Sequence, residues 1–590
     1  MSSLAQSFPL KEWRTASVDP DSSALLAREL SVPLPVAKVL VSRGYSSPAA
    51  AQDFLNPRLS NLGDPFNLPD MEVAVARTWL AIEQGSSILV YGDYDVDGVC
   101  STALVVSVLR ELGARVSPFL PHRIDDGYGL STDTLRRCLD AYHPGLIITV
   151  DCGTGSCDAV RMAQDEGVDV IVTDHHEAEG QPAEALAMVN PKFGEDDDSR
   201  TLAGAGVAFK FCHALVKRGM QKGREEANQL DLRTFMDLVA IATVADVVPL
   251  VGENRILVRH GLARLNQAPR PGVSALLEIA GLDSHVEATH IGFVIGPRLN
   301  AAGRLGGANS ALELLLSDDH GESRQWANEL DAANRERREI EDRIFKVAAA
   351  EIAPNFDKER TFGVVVGKEG WHLGTIGIVA ARLCTRFYRP SIVIGFNEGG
   401  KGRGSCRSID RVDILEVLRD CDDLLITYGG HKMAAGLEIE LRNYEAFRER
   451  FNAACANKLE GVPLVPVQHV DAWIRMGEAD QLLVDSLESL RPLGAGNPTP
   501  IWGVRNVRLA APPKRVGKEN QHLKMTVAKG GSQLEAIGFN LGPIEPPAGD
   551  IDMVFQLNEN TFRGRTMLQM NVKDLRPSDD SGYMLDSDRN

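Results

Sequence analysis

The chain has nine cysteines, and no two of them are spaced C-x-x-C. Zinc ribbons and redox dithiols need that spacing, so neither is indicated, and scattered thiols fit a reducing, cytoplasmic compartment. No uninterrupted apolar run reaches the ~18 residues that cross a bilayer. Residues 1–13 also lack the apolar core of a secretion signal. A soluble, cytoplasmic protein without membrane contact is expected. Positive charge is in deficit as well: 63 Lys and Arg face 81 Asp and Glu, a formal net charge of -18. That excludes a protein coating nucleic acid with its whole surface, but not one with a local basic groove. Two nucleotide-binding signatures are incomplete. Gly395-x-x-x-x-Gly400-Lys401 is followed by Gly402 where a P-loop needs Ser or Thr. Gly153-x-Gly155 and Gly204-x-Gly206 stop short of the dinucleotide fingerprint, and both read as turns.

What is present is length, alternation and carboxylates. At 590 residues, 44% hydrophobic and 24% charged, the chain is globular and too long for one core, so three or four domains are expected. Residues 1–75 carry short helical patterns, such as Pro35-Val36-Ala37-Lys38-Val39-Leu40, and are expected to form a helical cap on the domain after them. Residues 76–310 read as an α/β domain with a mostly parallel sheet, its strands at 87–91, 115–120, 145–150, 168–173 and 186–189. Residues 311–355 read as a connecting helix with a solvated charged face, and 356–462 as a second α/β unit. There Lys401-Gly402-Arg403-Gly404-Ser405-Cys406-Arg407 reads as a flexible basic loop, and Gly429-Gly430-His431 as a polar turn. Residues 463–577 hold five short strands separated by turns, which fit an OB-fold β-barrel. Lys514, Arg515, Lys518, His522, Lys524 and Lys529 make this part locally basic, the charge pattern of a single-strand groove. The tail at 578–590 is acidic and Ser-rich, with disorder expected.

In a parallel sheet the ligand lies beyond the carboxyl ends of the strands. The run Ser87-Ile88-Leu89-Val90 leads there into Tyr91-Gly92-Asp93-Tyr94-Asp95-Val96-Asp97-Gly98. On extended backbone Asp93, Asp95 and Asp97 share one side, and carboxylates that close repel unless a cation lies between them. An EF-hand opens on the same string but needs Glu at its twelfth position, which here is Leu104. Three further apolar segments end in ligand-type residues: 145–150 in Asp151, 168–173 in Asp174-His175-His176, and 238–245 in Asp246. One such end is a capping residue; four together point to a metal site. Several carboxylates with one or two imidazoles and no thiolate suit Mn²⁺ or Mg²⁺. Their number exceeds the need of one ion, so two ions bridged by one Asp are expected. Paired ions of this kind serve phosphoryl transfer, so metal-assisted hydrolysis of a phosphoester or phosphoanhydride is predicted. The loop at 121–129 lies on the same side, where Arg123 can fork onto a phosphate and Tyr128 can stack on a base. Arg298 and Arg304, set among small residues, are candidate phosphate contacts, with Asn300 between them in the same substrate-binding set.

In order and spacing, Asp95-x-Asp97, Asp151, Asp174-His175-His176 and Asp246 resemble the four motifs of the DHH phosphoesterase superfamily. Within it, the chain is similar over nearly its whole length to the bacterial single-strand-specific exonucleases. Pro121-His122-Arg123, Gly296-Pro297-Arg298-Leu299-Asn300-Ala301-Ala302-Gly303-Arg304, Gly404-Ser405-Cys406-Arg407-Ser408 and Gly494-Ala495-Gly496-Asn497-Pro498 carry the likeness further. The resemblance implies that Asp95, Asp97, Asp151, His175 and Asp246 hold the metals, with Asp151 as the bridge. It puts His176 on the scissile phosphate and Asp174 behind a neighbouring ligand, and it leaves Asp93 open between ligand and support. It identifies 356–462 with a DHH-associated domain that holds substrate phosphates, with Ser405, Arg407 and His431 as the candidates. A pocket for a terminal 5′ phosphate, at a fixed distance from the metals, would explain cutting from a 5′ end. The implied activity is a 5′→3′ exonuclease that degrades single-stranded DNA to mononucleotides in recombination and repair. The implied state is a monomer in contact with the single-strand-binding protein. The alternative is a nanoRNA or cyclic-dinucleotide phosphodiesterase of the same superfamily, for which the basic barrel would have no purpose.

Overall fold

The computed structural model describes residues 11–578 apart from 179, 196–197, 283–284, 463 and 563–564. They fall into two units. One is 59–464 with 494–496; the other joins the described residues up to 58 with 465–493 and those from 497 on.

The larger unit opens on five parallel strands: β1 (Ser87–Gly92), β2 (Arg115–Phe119), β3 (Leu146–Val150), β4 (Asp169–Thr173) and β5 (Ala187–Val189). The inner strands β1, β3 and β4 are almost wholly buried and largely apolar because both faces are covered, whereas the edge strand β2 (Arg115-Val116-Ser117-Pro118-Phe119) is only half-buried. Ile88, Val90, Ile148 and Ile171 enter one core with α1 (Val96–Glu111), α2 (Gly204–Gln221) and α3 (Met236–Ala245). The alternate residues Leu89, Tyr91, Ile147 and Val170 enter a second core on the other face. The strand order is β2-β1-β3-β4-β5. Successive crossovers leave in opposite directions from β1 and β3, and open parallel sheets bind ligands at such a switch. The residues that follow these two strands, from Asp93 and from Asp151, stand at its mouth.

Beyond this sheet come α4 (Gly296–Leu305) and the 33-residue α5 (His320–Ile352). On α5 the buried positions Leu330, Asn334, Arg337, Glu341, Ile344 and Ala348 recur every three or four residues. Its inward stripe is therefore partly polar. The charges expected to be solvated include a buried Arg337–Glu341 pair, Nε to Oε1 3.3 Å. The second sheet comprises β6 (Val364–Glu369), β7 (Ser391–Phe396), β8 (Lys401–Arg407), β9 (Leu425–His431) and β10 (Ala434–Glu440). Its order is β9-β10-β8-β7-β6, with α6 (Leu373–Phe387) against β7 and β8. The expected flexible loop at 401–407 is thus its central strand, and His431 ends a strand instead of forming a turn. The glycines serve close packing there. A Cβ at Gly402 would stand 2.6 Å from Phe396, and one at Gly404 2.8 Å from Leu437.

The smaller unit contains β11 (Trp502–Leu509), β12 (Lys514–Val516), β13 (His522–Lys529), β14 (Ser532–Gly538), β15 (Ile551–Phe562) and β16 (Arg565–Pro577). β11 pairs with both β13 and β15, which closes β11-β15-β16-β14-β13 into an OB-fold barrel, with β12 appended to β13. Of the six basic residues expected to line a groove, Arg515 pairs with Glu545 and Lys524 with Glu535. The three helices Pro20–Leu30, Leu34–Ser42 and Pro48–Leu55 do not cap the parallel sheet as expected. Leu26, Val36, Leu40 and Phe54 share a core with Leu487, Leu490 and Trp502 of the barrel unit. Helices of 8–11 residues are not stable alone and need a foreign core, and theirs comes from the far end of the chain. The tail expected to be disordered lies, after Ser578, outside the described residues.

Candidate metal centre

The aspartates after β1 do not alternate along extended backbone. The chain leaves the strand at Gly92, where a Cβ would fall 2.0 Å from Thr102 Oγ1, and turns into α1. Asp95 caps this helix: its Oδ1 accepts from the N–H groups of Asp97 (2.9 Å) and Gly98 (3.1 Å). The capping preference of Asp overrides the alternating pattern. Asp97 lies in the first helical turn, and its carboxylate accepts from the N–H groups of Gly204 and Ala205, both at 2.7 Å. These are the opening donors of α2, whose dipole favours negative charge there. Asp151 follows β3 with φ 60°, a left-handed position that Asp tolerates. Asp246 follows the last residue of α3.

These elements bring the ligand-type side chains together. His175 Nε2 lies 3.2 Å from Asp151 Oδ1, 3.7 Å from Asp246 Oδ2 and 3.8 Å from Asp97 Oδ2. Three groups have donor atoms within 4.8 Å of one another: Asp93, Asp95 and Asp151; Asp97, His175 and Asp246; Asp151, His175 and His176. Asp151 belongs to two of them, which suits a carboxylate between two ions. The site also passes a chemical test for divalent metal. Asp93 Oδ1, Asp151 Oδ1 and His175 Nε2 are buried with no hydrogen-bond partner, an expensive state that a cation relieves. Burial, then the charge of Asp95, pushes Asp93 up to about 8 and Asp246 up to about 7. Burial and neighbouring carboxylates hold Asp97 and Asp151 well above their usual range. Burial, followed by His176, lowers His175 to about 4, so at neutral pH it is the uncharged imidazole that ligates metals.

Asp174 has a different task. Its Oδ1 accepts from the N–H groups of His175 (2.7 Å) and His176 (3.2 Å), and its Oδ2 from that of Thr154 (3.0 Å). Its Oδ1 also lies 2.8 Å from His176 Nδ1. Burial alone would lower the His176 pKa, but this hydrogen bond and the carboxylates around it raise it to about 9. His176 is therefore a cation at neutral pH, with Nδ1 held and Nε2 free to face an anion. Tyr128 places its hydroxyl 2.9 Å from the same Nδ1, while the residue as a whole stays 53% exposed. The hydroxyl is thus tied to the histidine, and the ring remains open for stacking.

A second cavity of about 270 Å³ is lined by Arg123, Arg304, Gly374, Gly377, Ser405 and Arg407, among others. Arg123 stacks over Tyr94, 4.1 Å from the ring centre. Arg304 Nη1 donates to the carbonyl of Gly374 at 3.1 Å. Burial, then the charges of Arg123 and Arg337, lowers Arg304 to about 10, still cationic at neutral pH. Arg407 Nη1 donates to Ser405 Oγ at 3.2 Å. The N-terminus of α6 also borders the cavity, so guanidinium groups and a helix dipole converge on one anion-sized space.

The remaining sequence candidates are placed elsewhere. Arg298 is paired with Asp331 of α5 at 3.0 Å and also donates to the carbonyl of Val294. Asn300 keeps a buried, unpartnered Oδ1 on α4. His431 shares a rung with Ala434 and Arg407 and so stands two strands, roughly 10 Å, from Arg407. Three contributors escaped the sequence reading. Gly204 is not a turn but the helix start that holds Asp97. Gly374 and Gly377 let α6 approach α4 and β8: a Cβ would fall 2.1 Å from Arg304 O and 3.0 Å from Ser405 Oγ, respectively. The only signal for them was a run of small residues at a helix start.

Comparison with known proteins matches three successive parts of the chain to family models. The DHH family, N-terminal domain, matches residues 87–243, the DHHA1 domain residues 359–457, and the RecJ OB domain residues 470–574. The single-stranded-DNA-specific exonuclease RecJ of Bacillus subtilis is 36% identical over 573 residues, 96% of this chain and 71% of that protein. The crystal structure of RecJ in complex with Mn²⁺ from Thermus thermophilus superposes with a TM-score of 0.81 at 31% identity. That match covers 96% of this chain and 80% of the other. The Mg²⁺ complex from the same organism gives a TM-score of 0.75 at 30% identity, covering 96% and 79%.

Proposed function

We infer, because this chain belongs to the RecJ family of single-stranded-DNA-specific exonucleases, that it is a divalent-metal-dependent exonuclease acting on single-stranded DNA. The observation that carries this reading is the set of buried carboxylates and a neutral imidazole at the switch point of the sheet, with donor atoms that no protein group satisfies. Asp95, Asp97, Asp151, His175 and Asp246 would hold two Mg²⁺ or Mn²⁺ ions, with Asp93 beside Asp95 and Asp151. When bound, such ions supply positive charge to the phosphate oxygens and lower the pKa of water. The side chains do the rest. Gly204 and Ala205 fix the Asp97 carboxylate, and Asp174 fixes the His176 imidazolium, whose Nε2–H donates to a non-bridging oxygen of the scissile phosphate.

Direction of cutting comes from the second cavity in this proposal. Arg304, Ser405 and Arg407, with Arg123 at the rim, would bind a terminal 5′ phosphate. One end of the strand is then set at a fixed distance from the metals, which gives 5′→3′ polarity and mononucleotide products. A role in recombination and repair, contact with the single-strand-binding protein, a monomeric state and a cytoplasmic location complete the proposal. No helix among the described residues is long and apolar enough to cross a membrane.

The test uses single strands of DNA and RNA labelled at the 5′ or the 3′ end, with Mn²⁺ or with EDTA. Mononucleotides are expected from the 5′ end of DNA, about ten-fold or more faster from 5′-phosphorylated than from 5′-hydroxyl strands, with no release in EDTA. Release from the 3′ end alone, or activity that survives EDTA, refutes the reading.

A further inference from the structure

Among the described large apolar side chains, the two most exposed are Phe293 at 76% and Val247 at 70%. They are far apart in sequence, yet each lies on a segment adjoining the end of α3 that carries Asp246. Val247 directly follows Asp246 and has φ 63°, a left-handed conformation that a β-branched residue adopts only under constraint. Phe293 lies on the π-helical turn Ile291–Ile295, whose Ile291 and Ile295 are fully buried. Turns of this kind recur at functional sites. This turn packs on the end of α3: Gly292 faces Val244, and a Cβ on Gly296 would come within 3.4 Å of Ala245. The turn thus adjoins the residues that carry Asp246.

α4 then gives the rim a direction. Its first residue, Gly296, meets Ala245; near its other end a Cβ on Gly303 would stand 2.8 Å from Tyr94 O, and Arg304 lines the phosphate cavity. From Gly296 to Gly303 a helix advances about 10 Å, close to three stacked nucleotides at about 3.4 Å each. A strand with its 5′ phosphate in the cavity that ran along α4 toward Asp246 would come level with Val247 and Phe293 two to four nucleotides later.

We propose that Phe293 and Val247 form an apolar step on which an unstacked base rests, two to four nucleotides from the 5′ end of the bound strand. The inference rests on the functional reading above and extends it to a base-binding position. An exposed aromatic ring beside a phosphate track is the usual platform for single strands, because every base offers a π-face. A duplex, whose bases are already stacked and paired, cannot use it.

The test is steady-state hydrolysis of 5′-phosphorylated oligodeoxynucleotides carrying one abasic residue at successive positions, by wild type, Phe293→Ala and Phe293→Trp. Phe293→Ala is expected to raise KM about ten-fold with little change in kcat, and Phe293→Trp to keep the wild-type value. For wild type, one abasic residue among positions two to four raises KM by a similar factor; for Phe293→Ala the same residue adds nothing, because the two losses are one interaction. Equal KM for Phe293→Ala and wild type, or penalties that multiply, overturns this inference while leaving the exonuclease reading intact. Wild type that leaves the intact strand uncut overturns both.

Discussion

Asp151→Asn lowers kcat by roughly three orders of magnitude or more, while the protein stays folded. Loss of groups that only support metal ligands already costs about 10–100-fold, and Asp151 is the carboxylate common to two ligand groups. Asn keeps the size of the side chain and tolerates the left-handed backbone at this position. The stability effect has the opposite sign to that of an ordinary core mutation. Without metal, Asp97 and Asp151 are held above their usual range, Asp93 at about 8 and Asp246 at about 7, by burial and mutual repulsion. Carboxyls raised in this way bind protons that the unfolded chain, titrating near 3.9, has lost. The contribution of these carboxyls to the stability of the ion-free protein therefore falls as pH rises from about 4 to about 8, and Mn²⁺ restores it. Asp151→Asn removes a carboxyl whose ionisation the buried cluster opposes, so the ion-free variant melts no lower than wild type at pH 8 but gains less from Mn²⁺. Melting curves with and without Mn²⁺, beside kcat, read both effects. A variant that is fully active, or equally stabilised by Mn²⁺, contradicts the assignment.

Gly204→Ala is expected to cost about 100-fold in kcat through a methyl group that touches no substrate. The added Cβ would stand 2.5 Å from Asp151 Oδ1 and 2.8 Å from its Cγ, while the Gly204 N–H must still reach Asp97 Oδ2. Carboxylate and helix start cannot both keep their places, and displacements near 1 Å carry losses of this order in a preorganised site. Away from such contacts, Gly→Ala at a helical position is neutral or stabilising. Gly206→Ala is the control: its Cβ would meet the flexible end of Leu202 at 2.9 Å, which can yield. Weakened Mn²⁺ binding and slow turnover are expected for the first variant and near-normal values for the second. Equal behaviour of the two variants would show that the approach of α2 to the acidic cluster is not what holds Asp97.

These two positions mark the division between what was legible in the chain and what was not. Asp151 was legible. A strand buried on both faces is written as an uninterrupted apolar run, so a carboxylate at its end stands out, and four such ends imply a common site. The residues after 168–173 and before Asp246 announced themselves in the same way, although the latter segment is a helix. Gly204 was silent, because a backbone N–H at a helix start leaves no side-chain signature. The glycines of 401–407 misled for a related reason: small residues needed under Phe396 and Leu437 look like those of a mobile loop. On α5 the signal is present in the spacing. Asn334, Arg337 and Glu341 continue the helical spacing of Leu330 and Ile344, so they share the buried stripe despite their charge. The N-terminal helices showed apolar faces, but a face does not state which core it joins when that core lies at the other end of the chain.

The most direct measurement is an anomalous difference map from crystals grown with Mn²⁺. Two peaks are expected at the carboxyl ends of β1 and β3, roughly 3.5–4 Å apart, with the Asp151 carboxylate between them and His175 and Asp246 at one of them. Mn²⁺ bound away from Asp151, or its absence from this crevice in crystals of active protein, would contradict the account.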